Sequence, residues 1–314
     1  MKWKKRFWNN LNIYIPILVL LLTLVGLIAI SSAVEVNKNE VNLSFIQRQI
    51  IAIFLGLIVI ITIQFYDYSL LREYSDVIYL LTIGILLILL LYGTQKSGGK
   101  SWLDIGPLNF QPSEIAKLSV IIMLAHIMSE TKEDLKYLSG IIKTGIYAFI
   151  PFVLIILQND LGTALVILFI YIAMLYVAGG NKKFMLIIFG GSFLLIVLLI
   201  MSHFYFDTPL PFIKEYQLNR LIVFINPQVD PYGAGYNILQ SKIAVGSGKI
   251  FGKGLFAGTQ NQLNFLPEKH TDFIFSVIGE EFGLIGVFTV LSLYFWLFWN
   301  MIKVAFNARD EFGR

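Results

Sequence analysis

Residues 144–181 read TGIYAFIPFVLIILQNDLGTALVILFIYIAMLYVAGGN, a stretch of 38 residues carrying a single charge, Asp160. Its polar interruption is Gln158-Asn-Asp-Leu-Gly-Thr163. A helix rises about 1.5 Å per residue, and the hydrocarbon core is about 30 Å thick. Each apolar arm, taken as 141–158 and 161–180, is therefore matched to one membrane crossing. The break between them leaves room only for a tight turn, so the chain enters and leaves the bilayer as a helical hairpin.

The same pattern recurs on both sides. Apolar runs between charges predict eight helices, at 12–33, 46–66, 76–93, 112–129, 141–158, 161–180, 184–202 and 273–302. The composition agrees: 57% of the 314 residues are hydrophobic and 14% charged, against about 25% charged in soluble domains. The expected fold is an all-α polytopic membrane bundle of about eight helices. It forms a single integral membrane domain over 1–314, with a large outer loop at 203–272. Continuous apolar runs exclude a transmembrane β-barrel, whose strands alternate residue by residue. The absence of cysteine excludes disulfide scaffolds, thiolate metal sites and cysteine nucleophiles. A net charge of +4, dispersed between apolar segments, gives no nucleic-acid footprint.

Met1-Lys-Trp-Lys-Lys-Arg6 followed by an apolar run imitates a secretory leader, and Ser31, Ser32 and Ala33 imitate its cleavage site. The apolar run is too long for a leader and seven more follow, so it reads as a retained anchor. With the N-terminus inside, short inner segments hold Lys2, Lys4, Lys5, Arg6, Arg72, Lys132, Lys136, Lys143, Lys182, Lys183, Lys303, Arg309 and Arg314. Short outer segments hold only Lys38, Arg48, Lys96 and Lys100. This asymmetry sets the orientation, and a loop as long as 203–272 is rightly left out of the count. The expected topology is multi-pass, with a cytoplasmic N-terminus.

Charges near membrane depth are costly, so each is a functional candidate. Asp160 reads both as the N-cap of the next helix and as such a candidate. In Gln111-Pro-Ser-Glu-Ile-Ala-Lys117, proline suits the first turn of a helix, and Glu114 and Lys117 share a face as an i,i+3 pair. Lys117 lies one turn into an apolar run, placed to meet an anionic headgroup or Asp160. Glu280 and Glu281 precede 21 uncharged residues and read as interface residues, one toward water and one toward the bundle.

Segment 203–272 contains Arg220-Leu-Ile-Val-Phe-Ile-Asn-Pro227, Asp230-Pro-Tyr-Gly-Ala-Gly-Tyr236 and the glycine-rich stretch to Gln260. A loop of this length is functional or disordered. Ile238, Ile243, Val245, Ile250 and Phe251 predict a folded cap. Gly246-Ser-Gly-Lys-Ile-Phe-Gly-Lys253 lacks the spacing and the preceding strand of a nucleotide loop. The segment ends in Leu266-Pro-Glu-Lys-His-Thr-Asp272, where Thr271 or Asp272 is expected to cap the last helix and His270 reads as an interfacial residue. No paired-histidine spacing marks a metal site.

Gly98-Gly-Lys-Ser-Trp102, Gln111 to Lys117, Asn159-Asp-Leu-Gly-Thr163, Arg220 to Gln260 and Asn264 to Phe275 together resemble the SEDS (shape, elongation, division, sporulation) family of membrane glycosyltransferases. Gly252-Lys-Gly254, Gly258-Thr-Gln260 and Asn264-Phe265 resemble its RodA-like, rod-shape branch. The resemblance implies polymerisation of lipid II into peptidoglycan strands outside the membrane during cell elongation, with release of undecaprenyl diphosphate. It marks Asp272 as the essential acid, Trp102 as an outer-loop residue required for activity, and Glu114, Lys117 and Asp160 as an accompanying polar cluster. It also implies a class B penicillin-binding protein as transpeptidase partner, alongside other membrane proteins of the elongation machinery.

Lys249 stands where the family commonly has a second glycine in its Gly-Ser-Gly-Gly stretch. Family members also continue past Asn307–Arg314 into two further helices with a glycine- and serine-rich outer loop, whereas this sequence stops in the preceding inner loop.

Lipid-linked diphosphate is a good leaving group, so a single base suffices, unlike the two carboxylates of a glycosidase. Asp272 is the expected general base of an inverting transfer. Lys117, Arg220, Lys242, Lys253 and Lys269 are candidate cations for the diphosphate, with His270 nearby. A divalent cation, Mg or Mn, is compatible with its departure. The competing readings are a flippase for a lipid-linked precursor and a non-catalytic scaffold. The outer placement of Asp160, Lys117 and Asp272 without inner counterparts disfavours alternating access.

Overall fold

The computed structural model describes residues 12–34, 43–96, 99–105, 108–206, 215–266 and 268–314. In chain order the elements are α1 (Tyr14–Val34), α2 (Leu43–Ile63), α3 (Ser69–Glu73), α4 (Ser75–Tyr92), β1 (Thr94–Lys96), β2 (Gly99–Ile105), β3 (Leu108–Phe110), α5 (Pro112–Glu130), α6 (Leu138–Leu157) and α7 (Leu161–Val177). They continue with α8 (Lys182–Met185), a π turn (Leu186–Gly190), α9 (Gly191–Phe206), α10 (Glu215–Ile225), α11 (Ala234–Ser247), α12 (Thr259–Gln262) and α13 (Ile274–Phe306). Seven helices among the described residues are long and apolar enough to cross a membrane, and α7, at 17 residues, is a shorter apolar companion. The expected helical membrane bundle is thus present, with each of the eight predicted spans matched by a helix or helix pair. Outside the helices, β1, β2 and β3 form a small antiparallel sheet.

The chain packs as two compact units, residues 1–63 with 209–306 and residues 64–208 with 307–314. In the second, α4, α5, α6 and α7 pack together. α5 presents Ser113, Ala116, Val120, Met123 and Leu124 inward, and α7 presents Ala164, Ile167, Tyr171 and Leu175. These spacings of three and four put each set on one helix face. The faces turned away carry exposed leucine, isoleucine and phenylalanine, such as Leu80, Leu91 and Phe193, which suits hydrocarbon as solvent. Pro151 lies inside α6 and has no N–H to give the Tyr147 carbonyl. The Tyr79 hydroxyl donates to that carbonyl instead, at 2.9 Å.

In the first unit, α13 packs on α1 and α11, with Ala29, Ile278 and Val290 at the centre of the apolar contact. α13 is broken at Gly283, whose φ of 64° is non-helical. The loop after α11 fills the break. Lys253 and Gly254 donate their N–H groups to the Glu280 and Glu281 carbonyls, each at 3.0 Å. Leu284 and Ile285 donate to the Lys249 and Ile250 carbonyls, at 2.9 and 3.2 Å. Non-helical backbone at membrane depth survives only when protein satisfies its polar groups, and here four interrupted groups are all satisfied. Gly283 and Gly252 are obligatory at this crossing. Both have positive φ, and a Cβ on either would collide with backbone of the other strand of contact.

The described residues of 203–272 include α10, α11 and α12, and of the apolar residues proposed for its core Val245 meets Gly279 of α13 whereas others face outward. Ile243 and Phe251 are exposed at 49% and 79%, whereas Ala244 is buried and Gly248 lies so close to the Gly279 carbonyl of α13 that a Cβ would not fit. Close helix approach selects small side chains at the contact and turns the large ones outward.

Candidate functional site

In the second unit the turn between α6 and α7 is made by Gln158, Asn159 and Asp160, with Asn159 in the left-handed region at φ 64°. Asp160 caps α7: its Oδ1 accepts from the Thr163 N–H at 3.1 Å and its Oδ2 from the Thr163 hydroxyl at 2.8 Å. Gln111, at the N-terminus of α5, donates from Nε2 to the same Oδ2 at 3.1 Å. Gln158 is buried and donates to the Leu86 carbonyl at 3.0 Å. Lys117 pairs with Glu114 at 2.8 Å, a partly exposed i,i+3 bridge. The cap and the bridge expected from the sequence are both formed. Asp160 is met by Gln111 rather than by Lys117. Trp102 lies in β2, opposite Thr94 of β1, and its side chain is outside the described residues, as are Gly98 and the basic N-terminal hexapeptide.

In the first unit the functional candidates cluster around the turn 268–273. The Glu268 carbonyl accepts from the Thr271 N–H at 3.1 Å, the Phe273 N–H at 3.3 Å and the Thr271 hydroxyl at 3.2 Å. That closes the turn with Glu268 at φ 47°. α13 then starts on the Phe273 carbonyl, which accepts from Ser276 and Val277. The side-chain cap expected from Thr271 or Asp272 is not used, because the hydroxyl of Thr271 turns back to Glu268. Asp272 is exposed, and among the described residues its carboxylate has no hydrogen-bond partner. His270 lies against the Phe45 ring at 4.2 Å between centroids, tilted by 51°, with Glu268 at 3.9 Å. The guanidinium of Arg48 sits 6.0 Å from the same Phe45 ring.

Lys269 is buried, and its Nζ donates to the Asn261 carbonyl at 2.7 Å and to Asn264 Oδ1 at 2.8 Å. Burial pushes the ammonium down from 10.5 to about 8. Asn261, itself fully buried, joins this turn to the broken helix. Its N–H donates to Glu280 Oε2 at 3.2 Å, and its Nδ2 donates to Glu281 Oε1 at 3.2 Å and to the Ser32 carbonyl at 3.1 Å.

Glu280 and Glu281 are 0% and 1% exposed, so neither faces water as the sequence reading supposed. Glu280 Oε1 accepts from Lys253 Nζ at 2.7 Å and from the Gln260 N–H at 2.9 Å. Glu281 Oε1 accepts from the Ser32 hydroxyl at 2.5 Å. Lys253 also donates to Thr259 at 2.7 Å, and its charge is compensated by Glu280. Lys242 on α11 and Arg220 on α10 are exposed. Sequence reasoning missed the roles of Asn261, Ser32 and the glutamate pair. The one local signal was two adjacent acids entering a 21-residue uncharged run. Among the described residues no three His, Asp or Glu side chains form a metal-ligand set.

The two units therefore offer two different polar constellations. One is a capping carboxylate with an adjacent ion pair. The other is an unencumbered acid on a turn held by a buried amine.

Known proteins resemble the chain over nearly its whole length. The model of the family described as cell cycle protein, that of FtsW, RodA and SpoVE, matches residues 11–314. The chain is 34% identical over 316 residues to the peptidoglycan glycosyltransferase MrdB of Escherichia coli (strain K12), covering 99% of this chain and 80% of MrdB. It superposes with a TM-score of 0.75 and 26% identity on a chain of a peptidoglycan synthase complex that coordinates polymerization and crosslinking, covering 96% of this chain and 80% of that one. The rod shape determining protein RodA of Thermus thermophilus shares the fold, with a TM-score of 0.64 at 24% identity over 97% of this chain and 78% of RodA.

Proposed function

From the fact that the chain belongs to the cell cycle protein family of FtsW, RodA and SpoVE, we infer that it is a multi-pass membrane peptidoglycan glycosyltransferase, and we propose lipid II as its substrate and Asp272 as its general base. The observation that carries the assignment of Asp272 is its exposed carboxylate, without a hydrogen-bond partner among the described residues, on a turn closed by backbone hydrogen bonds directly before an apolar helix. A base must be free to accept a proton and must be held still.

In the proposed step Asp272 takes the proton of the attacking sugar hydroxyl. The hydroxyl oxygen forms a bond to the anomeric carbon of the donor, the bond from that carbon to the diphosphate breaks, and undecaprenyl diphosphate leaves with the electron pair. Attack opposite the leaving group inverts the anomeric centre, so an α-linked donor gives a β-linked strand. The departing charge calls for cations. Arg220 and Lys242 are exposed on α10 and α11 of the same unit and suit this role; Lys117, paired with Glu114, is a separate candidate for an anionic headgroup. Asp160 supports by fixing the start of α7, and Lys253 by fixing the loop that fills the break in α13. His270 buttresses the turn through Phe45, and Trp102 offers a ring to a sugar or to the interface. The N-terminus is assigned to the cytoplasm, and the turn 268–273 to the outer face of a bacterial plasma membrane. The likeness to a chain of a peptidoglycan synthase complex supports a class B penicillin-binding protein as partner, within the elongation machinery.

The test is polymerisation of labelled lipid II by the purified chain together with its transpeptidase partner. Asp272→Asn is expected to insert and fold normally and to make no glycan strands. Strand synthesis by Asp272→Asn at the wild-type rate would overturn the assignment.

A further inference from the structure

A lysine buried without a carboxylate is an expensive way to close a turn. Lys269 is 9% exposed, yet both acceptors of its ammonium are neutral oxygens, the Asn261 carbonyl and Asn264 Oδ1. An uncharged side chain would avoid the desolvation cost. What the ammonium supplies in return is two charge-assisted hydrogen bonds, stronger than neutral ones and made in fixed directions. They fasten the turn 268–273 to Asn261. Asn261 is in turn held by both glutamates of the broken helix and by Ser32 of α1, a residue 229 positions away in the chain. The fastening therefore runs through Asn261 to the packed core of the unit.

We propose that Lys269 and Asn261 are positioning residues for Asp272, clamping the turn that carries it to the Glu280–Glu281 pair so that the carboxylate is held at a fixed height against the incoming hydroxyl. The inference rests on the reading of Asp272 as the base. It gives Lys269 a different task from the diphosphate cation that its charge alone suggests: its ammonium is spent on the protein's own oxygens, so its loss disturbs geometry rather than substrate affinity. Misplacing a catalytic group by about 1 Å costs roughly a hundredfold in rate.

Two readouts test this in the full chain. The first is polymerisation kinetics with labelled lipid II. In Lys269→Met, kcat is expected to fall roughly tenfold to a hundredfold while KM stays within about twofold. Lys269→Arg, which keeps a cationic donor on a long side chain, is expected to restore most of the loss. The second uses the absence of cysteine from the chain: Thr271→Cys gives a single spin-label site on the turn. Its spectrum is expected to be immobilised in the parent and to gain a mobile component in Lys269→Met and in Asn261→Asp. Should Lys269→Met fail to fold, Asn264→Gly removes one acceptor while keeping the left-handed backbone, and is expected to loosen the label in the same direction. A raised KM at unchanged kcat, or an unchanged spectrum in these variants, overturns the proposal. If Asp272→Asn retains activity, the base assignment falls by itself, and the spectra still decide whether Lys269 and Asn261 hold the turn.

Discussion

The ammonium of Lys253 lies 2.7 Å from Oε1 of Glu280, a carboxylate with no solvent exposure. The pair joins the loop after α11 to the helix that the same loop interrupts, so an electrostatic contact and a backbone repair occupy one place. Its energetics follow from the asymmetry of buried pairs: forming one from water gains little, but removing one partner strands the other charge.

Lys253→Met is accordingly expected to destabilise the first unit by about 3 kcal/mol, near the lower bound for breaking a buried pair because the lysine side chain keeps 26% exposure. The double variant Lys253→Met with Glu280→Gln is expected to recover part of that loss, since the two positions are coupled. Thermal unfolding of the detergent-solubilised protein measures both. Additive losses would mean that the pair contributes nothing jointly.

Gly283→Ala places a Cβ on a residue at φ 64° against the Gly252 amide and the Ile250 carbonyl. Strain and overlap together are expected to cost about 2–4 kcal/mol. The same change at Gly26, which has open space around it, is expected to be neutral or slightly stabilising. Folded yield and unfolding midpoint of the two variants should separate clearly, and equal midpoints would contradict the filled-break geometry.

Asp160→Ala is expected to lose about 1 kcal/mol from the start of α7, while Asp160→Asn keeps an oxygen acceptor for the Thr163 N–H but turns an amide donor toward Gln111 and the Thr163 hydroxyl, and is expected to lose less than Asp160→Ala. Comparing unfolding midpoints checks the cap. An Asp160→Asn protein as unstable as Asp160→Ala would show that the acceptor for the Thr163 N–H is not what stabilises the start of α7.

Lys269 links stability to pH. Its amine titrates near about 8 in the folded protein against 10.5 ordinarily, so between these values the unfolded chain binds more protons than the folded one. Stability therefore rises with pH across that window, and the cost of the buried charge is fully present below it. The wild-type unfolding midpoint, taken relative to that of Lys269→Met, is expected to climb between about pH 7 and about pH 10. Paired melting curves at the two values measure it, and a constant difference would remove Lys269 as the titrating group.

The features that the sequence reveals are those written at short range. The hairpin at 144–181 is visible because apolar length alone sets a membrane crossing. The cap by Asp160 is visible because its partner Thr163 is three residues away. The bridge between Glu114 and Lys117 follows from helical spacing. Where the reading of residues went astray, the partners are distant: Glu280 and Glu281 look like an interfacial pair until the loop 248–262 and Ser32 are folded over them. Ile243 and Phe251 look like core until the small face of α11 docks on Gly279. The unused cap at Thr271 is a nearer miss, decided by which of two neighbouring backbone groups its hydroxyl reaches.

The sequence by itself thus determined the solvent, the run of apolar helices and the cap at Asp160, because hydrophobic length and i,i+3 spacing act within one element. Only the tertiary structure decided that the last helix is broken, that its two glutamates are buried, and that a lysine three residues before Asp272 is spent on fastening its turn. Those outcomes depend on satisfying freed backbone groups and buried charges with atoms from elsewhere in the chain, and which atoms arrive is set by packing.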